Sequence, residues 1–265
     1  MPFAEVRGIR LHWSERGSGD PLICVMGLGA DQRAWVFQLE PFSEAFRTIV
    51  FDNRDCGQSS LVDEDYDLDD MAGDTLALAD ELGLESFHLL GISMGAAICQ
   101  HAALRAPARV RTLTLAAAWG GASATYGEMR ARNWAREVSR ASREEFLETM
   151  MLLTLSERFF DIPGGVKQFK KLALAAPHAQ PPEAFARQSR ASARHDVRDR
   201  LAELTMPVHV ISGANDVLIP PWKQQELAAL IPGAKLTVLE GVAHSMNLDG
   251  AEAFTAAVLD FLASA

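Results

Sequence analysis

Residues 89–100 read "LLGISMGAAICQ", a serine between two glycines where an apolar run gives way to small residues. Ser93 is either an ordinary turn residue capping a helix or a nucleophile on a turn that nothing else requires. "FHLLGIS" before it has the continuous apolarity of a strand buried on both faces. "MGAAICQHAALRAP" after it reads as a helix rich in small residues. The pattern Gly91-Ile92-Ser93-Met94-Gly95 therefore sits on a strand-to-helix turn, the context a nucleophile elbow needs. Small flanking residues let strand and helix meet closely, and the helix start aims N–H groups at the serine.

The same strand–helix alternation extends outward. "EVRGIRLHWSERG" alternates about a glycine turn, as in a hairpin. "PLICVMG", "FRTIVF", "VRTLTLAAAW", "MPVHVISG" and "AKLTVLEG" read as further strands. "LDDMAGDTLALADELGL", "PPWKQQELAALIPG" and "AEAFTAAVLDFLASA" read as helices between or after them. The order implies a parallel sheet covered on both faces, an α/β fold. Residues 119–204 interrupt it with apolar positions at helical spacing and no strand-like run, broken at Pro163–Gly165 and Pro177–Pro182. The expected organisation is a core of residues 1–118 and 205–265 with a helical cap inserted at 119–204.

Composition narrows the function. The 265 residues are 48% hydrophobic, enough for a large core. Twenty-five Lys and Arg against 35 Asp and Glu give a net charge of −10, which argues against a nucleic-acid or anionic-membrane partner. Residues 119–204 are the exception, with 14 basic and 11 acidic side chains. That balance reads either as solvated helix faces or as a mildly cationic lid over an anionic or polar substrate. Cys24, Cys56 and Cys99 show no metal or redox spacing, and no apolar run suits a signal peptide or a membrane span. A reducing, cytoplasmic setting is expected. Asp residues in "DEDYDLDDMAGD", 63–74, are spaced as in a calcium loop, but Leu68 stands where that loop needs glycine. No metal and no cofactor are expected, and oligomeric state is left open.

A serine hydroxyl needs a general base. Of the seven histidines, His88 and His209 lie in strands, His12 in the hairpin, His101 two helical turns past the serine, and His178 and His195 in the cap. His244 follows the last strand in "LEGVAHSMNLDG", at the sheet edge where the Ser93 turn also emerges, and is the expected base. Asp216 ends "VHVISGAND" at that same edge and is the expected orienting carboxylate, ahead of Asp249 and Asp196. Oxyanion donors are expected from the N–H groups of Met94 and Leu28, the latter in "VMGLGADQRAW". Met26, Gly27, Trp119 and Trp134 are candidate substrate contacts, with Met129, Met150, Met151, Phe159 and Phe160 as further wall residues or plain packing.

With "GISMG", "SGANDVLIPP", "IPGAKLTVLEGVAHS" and "FDNRDCGQSS" in place, the chain resembles the α/β-hydrolase superfamily, in particular capped esterases and enol-lactonases. The resemblance implies a mostly parallel eight-stranded sheet flanked by helices. It implies a Ser-His-Asp hydrolase that cleaves a small carboxylic ester or lactone through an acyl-enzyme. C–C bond hydrolysis, acyl transfer or a non-catalytic receptor of the same fold are the alternatives. Many members carry histidine where this chain has Met26, which puts a flexible apolar side chain beside the nucleophile.

Overall fold

Strand runs that are almost continuously apolar need cover on both faces, and that is where the chain places them. In the computed structural model, which describes residues 2–264, every residue of Phe87–Ile92 and of Val208–Gly213 is buried. They belong to one eight-stranded sheet: β1 (Phe3–Val6), β2 (Ile9–Arg16), β3 (Asp20–Val25), β4 (Phe46–Phe51), β5 (Phe87–Ile92), β6 (Val110–Ala116), β7 (Val208–Gly213) and β8 (Lys235–Leu239). The spatial order is β1-β2-β4-β3-β5-β6-β7-β8. Only the β1/β2 and β2/β4 pairs are antiparallel. The mostly parallel sheet expected from the sequence is therefore present.

Period-two alternation divides each strand between two apolar layers. Ile23 and Val25 of β3 join Ile49, Phe51 and Leu89 under the helices Leu68–Glu81 and Met94–Arg105. Leu22 and Cys24 face the other way and pack with Val50, Leu90 and Phe254 of the helix Ala251–Ser264. The β1/β2 hairpin turns at Arg7 and Gly8, both with positive φ (48° and 82°), as a two-residue turn matched to strand twist requires. The acidic 63–74 stretch is a loop and helix start: Asp67 accepts the Asp70 N–H at 3.0 Å while Asp70 accepts the Asp67 N–H at 3.3 Å. All three cysteines are free and buried.

Between β6 and β7 lie the helices Ala124–Arg140, Arg143–Thr154, Glu157–Phe160, Gly165–Leu174 and Pro182–Ala193. The segment starts and ends side by side. Gly121 pairs with Asp196, and the Val197 N–H donates to the Gly120 carbonyl at 2.8 Å. One feature of the strand order positions the site. The chain runs β3, β4, β5, but β4 and β5 flank β3 on opposite sides, which opens a crevice at the carboxyl ends of β3 and β5.

Candidate active site

Ser93 occupies the turn between β5 and the helix Met94–Arg105 with φ 55° and ψ −123°. That region is sparsely populated for a residue with a Cβ, and the surroundings must hold it there. The Ser93 N–H donates to the Ala116 carbonyl of β6 at 2.9 Å. A side chain on Gly91 would press into the Gly95 carbonyl, and one on Gly95 into the Val25 carbonyl of β3. The glycines are thus required by close approach. The hydroxyl of Ser93 makes no cap bond to its own helix.

Instead it lies 2.8 Å from His244 Nε2. His244 Nδ1 lies 2.9 Å from Asp216 Oδ2. A carboxylate can only accept, so the hydrogen sits on Nδ1 and Nε2 is free to take the serine proton. Asp216 is itself fixed: Oδ1 accepts the N–H groups of Leu218 (2.9 Å) and Ile219 (2.8 Å), and the Gln224 amide reaches Oδ2 at 3.3 Å. Asp216 and His244 are 2% and 5% exposed, while Ser93 is partly open to solvent. The buried pair thus sits behind an accessible hydroxyl. The structure brings together the three residues that the sequence singled out.

Gly27 lies directly against the serine, since a Cβ there would stand 3.1 Å from Ser93 Cβ. Among the described residues, neither the Leu28 nor the Met94 N–H donates to a backbone or side-chain acceptor in the turn. Met26 is buried in the layer with Trp35 and Ile92, and its carbonyl accepts from Asn53 at 2.9 Å. Sequence reasoning passed over the network beneath this loop. His12 Nδ1 is 2.9 Å from Asp52 Oδ2, and Asp52 also accepts the N–H groups of Gln32 and Gln58, both at 2.9 Å. His12 ties the 26–32 loop to the 52–60 loop. The aspartate in "FDNRDCGQSS" was the available signal, but its partner is 40 residues away.

Trp119 is buried with Val197 and Leu201, its ring edge-on to His195 at 5.3 Å. Trp134 is half-buried and stands edge-on to Phe146 and Phe185, both at 6.2 Å. Phe185 reaches the loop beside the serine, since a Cβ on Gly29 would lie 3.0 Å from its ring. Phe146 and Phe185 were not singled out from sequence. Met129 is exposed.

The helix Pro182–Ala193 is bonded to both core loops. Gln188, fully buried, accepts the Gly29 N–H at 3.3 Å and donates to the Arg54 carbonyl at 2.7 Å. Arg187 makes a two-pronged pair with Asp55, both contacts 2.9 Å, and Asp55 also accepts from Tyr66 and from the Val62 N–H. Removing one partner of a buried pair strands the other charge. Arg187→Met is therefore expected to lower stability by about 3–5 kcal/mol in urea unfolding. The double variant D55N/R187M should recover part of that loss, and an unchanged urea midpoint for the single variant would refute the assignment.

Burial lowers the pKa of four histidines, His88, His101, His195 and His209. His195 is pulled down to about 3, by burial first and the nearby His101 second. His209 is pulled to about 4, by burial and Lys235. Unfolded histidine titrates near 6.5, so below that pH the unfolded chain binds protons that the folded chain refuses. Stability is expected to be full above about pH 6.5 and to fall as pH drops toward 4. Thermal melts from pH 7.5 to 4.5 test this. His209→Phe should flatten the slope, and parallel curves would count against it.

Among the described residues, no group of three or more His, Cys, Asp and Glu side chains could hold a metal ion. No described helix is long and apolar enough to cross a membrane.

Comparison with known proteins identifies the family of the fold. A family model for the alpha/beta hydrolase fold matches residues 20–251. The chain is similar to 3-oxoadipate enol-lactonase 2 of Acinetobacter baylyi, at 31% identity over 94% of this chain and 92% of that one. It is 30% identical to the pimeloyl-(acyl-carrier protein) methyl ester esterase of Aliivibrio salmonicida, over 95% of each. The crystal structure of an enol-lactonase from Burkholderia xenovorans matches with a TM-score of 0.87 at 26% identity, covering 99% of this chain and 100% of that one.

Proposed function

The chain belongs to the alpha/beta hydrolase fold family, and we propose that it is a serine hydrolase of carboxylic esters or lactones acting through an acyl-enzyme. The observation that carries this reading is the unbroken relay from Ser93 Oγ to His244 (2.8 Å) and from His244 to Asp216 (2.9 Å). The names of the relatives, a lactonase and a methyl ester esterase, support the bond class.

The steps follow from the donors and acceptors present. Ser93 Oγ attacks the carbonyl carbon while His244 Nε2 takes its proton. The resulting oxyanion is held by the N–H groups of Leu28 and Met94, worth about 3–4 kcal/mol per donor in such sites. The imidazolium, stabilised by Asp216, then protonates the leaving alkoxide as the carbonyl re-forms. In the second half His244 takes a proton from water, which attacks the acyl carbon, and returns it to Ser93. In this reading residues 119–204 are a cap over the crevice, with Trp134 and Phe185 forming the apolar wall above Gly29. Met26, from its buried position, sets the floor beneath Gly27, and Trp119 anchors the first turn of the cap.

A panel of one alkyl ester, one lactone and one vinylogous 1,5-diketone tests the bond class. Hydrolysis of the ester or lactone with an inert diketone is expected. Turnover of the diketone alone would reassign the enzyme to C–C cleavage.

A further inference from the structure

The inserted segment carries its charges in two ways. Arg187, Arg190, Arg198 and Arg200 each form an ion pair with a carboxylate. Arg130, on the helix Ala124–Arg140, forms none among the described residues, although it is half-buried. Its place on the helix says where it points. Tyr126, Arg130 and Trp134 are spaced at i, i+4 and i+8, so they share one stripe. The Trp134 end of that stripe stands on Phe185, which touches Gly29 beside the serine. Arg130 lies one turn back along that stripe from Trp134, and Asp216 is one of the charges near it.

Asp216 does not serve as its partner. Both carboxylate oxygens are already engaged by His244, Gln224 and two N–H groups. A second cation lies near the Tyr126 end of the stripe. Lys223, from the helix Pro221–Leu230 of the core, lies 5.8 Å from the Tyr126 ring and 5.0 Å from the Trp222 ring. It too makes no ion pair among the described residues. Glu226 is its nearest acid along the helix, and Arg130 and Arg198 add positive charge around it. Burial holds both Arg130 and Lys223 below their usual ranges. A half-buried arginine without a carboxylate partner is costly in any protein, and more notable in a chain of net charge −10.

We propose that Arg130, backed by Lys223, binds a carboxylate on the substrate, so that the preferred ester or lactone is itself an anion. This rests on the hydrolase reading above and adds the substrate class to it. The stripe then divides the labour: Trp134 and Phe185 contact the apolar part of the substrate, and Arg130 fixes its charged end one helical turn away. A guanidinium suits a carboxylate because two N–H groups can meet two oxygens. The modest positive balance of residues 119–204 thereby acquires a location.

The test compares 4-nitrophenyl esters of a straight-chain monoacid and of the diacid of equal length. The wild-type protein should favour the anionic ester in kcat/KM by roughly ten- to a hundredfold, the range of a charge-assisted hydrogen bond. In R130Q and R130M the ratio should fall to about one, with R130K between. No preference in the wild type overturns the proposal. So does an equal loss on both esters in R130Q, which would mean that Arg130 only offsets the charge of Asp216. Calorimetric titration of the free diacid into wild-type and R130Q protein separates anion binding from turnover. If neither ester is turned over, the hydrolase reading fails. Diacid binding that R130Q weakens still supports the anion site, and equal or absent binding in the two proteins overturns it.

Discussion

Ser93→Ala is expected to lower kcat for ester hydrolysis by roughly 10⁴- to 10⁶-fold, the loss seen when a nucleophile of such a relay is removed. The variant should still fold, because the Ser93 side chain makes no helix-cap bond and its one hydrogen-bond partner among the described residues is His244. A thermal midpoint near that of the wild type would show that the loss is chemical. In the proposed mechanism a residual rate is expected from the donors at Leu28 and Met94, which do not depend on the hydroxyl. Retention of more than about a tenth of the activity would remove Ser93 from the mechanism.

Asp216→Asn should cost about 10⁴-fold in kcat with little change in KM. The structure gives the reason. Oδ1 of Asp216 accepts two N–H groups, so an asparagine carbonyl must occupy that position. Its amide nitrogen then faces His244 Nδ1 and donates to it. The hydrogen is driven onto Nε2, where it points at Ser93 and blocks proton abstraction. A smaller loss, tenfold or less, would mean that another acid orients the histidine. Asp249 is placed poorly for that, since it already accepts from the Ala243 N–H at 2.8 Å and from the Ser156 hydroxyl at 2.8 Å. Steady-state kinetics on one ester measures both quantities.

The parts of this site that could be read from sequence are those written in local pattern. Strand, tight turn and helix at 87–105 are contiguous, and each expected triad member follows a strand that its own apolar run announces. A parallel sheet then carries all three to one edge without further information. The parts that could not be read depend on how distant segments pack. Arg187 and Asp55 are 132 residues apart, and nothing in either neighbourhood names the other. The same holds for Gln188, which touches the chain at both Gly29 and Arg54. Phe185 looks like any apolar helix residue until the angle of its helix lays it on Gly29. Trp119, equally apolar and aromatic, is turned instead toward His195. Residue type selects aromatic side chains for both positions, and only the crossing angle of the inserted helices decides which one meets the crevice.

The proposed mechanism passes through a covalent acyl group on Ser93. Mixing the protein with excess 4-nitrophenyl ester, quenching in acid within the first turnover, and mapping the adduct by peptide mass would reveal it. One acyl group per chain, on the peptide that contains Ser93, formed with a burst of nitrophenol and lost as turnover ends, is the predicted result. Turnover with the acyl group on another residue, or with no adduct at any quench time in the wild type and in His244→Ala, would contradict it.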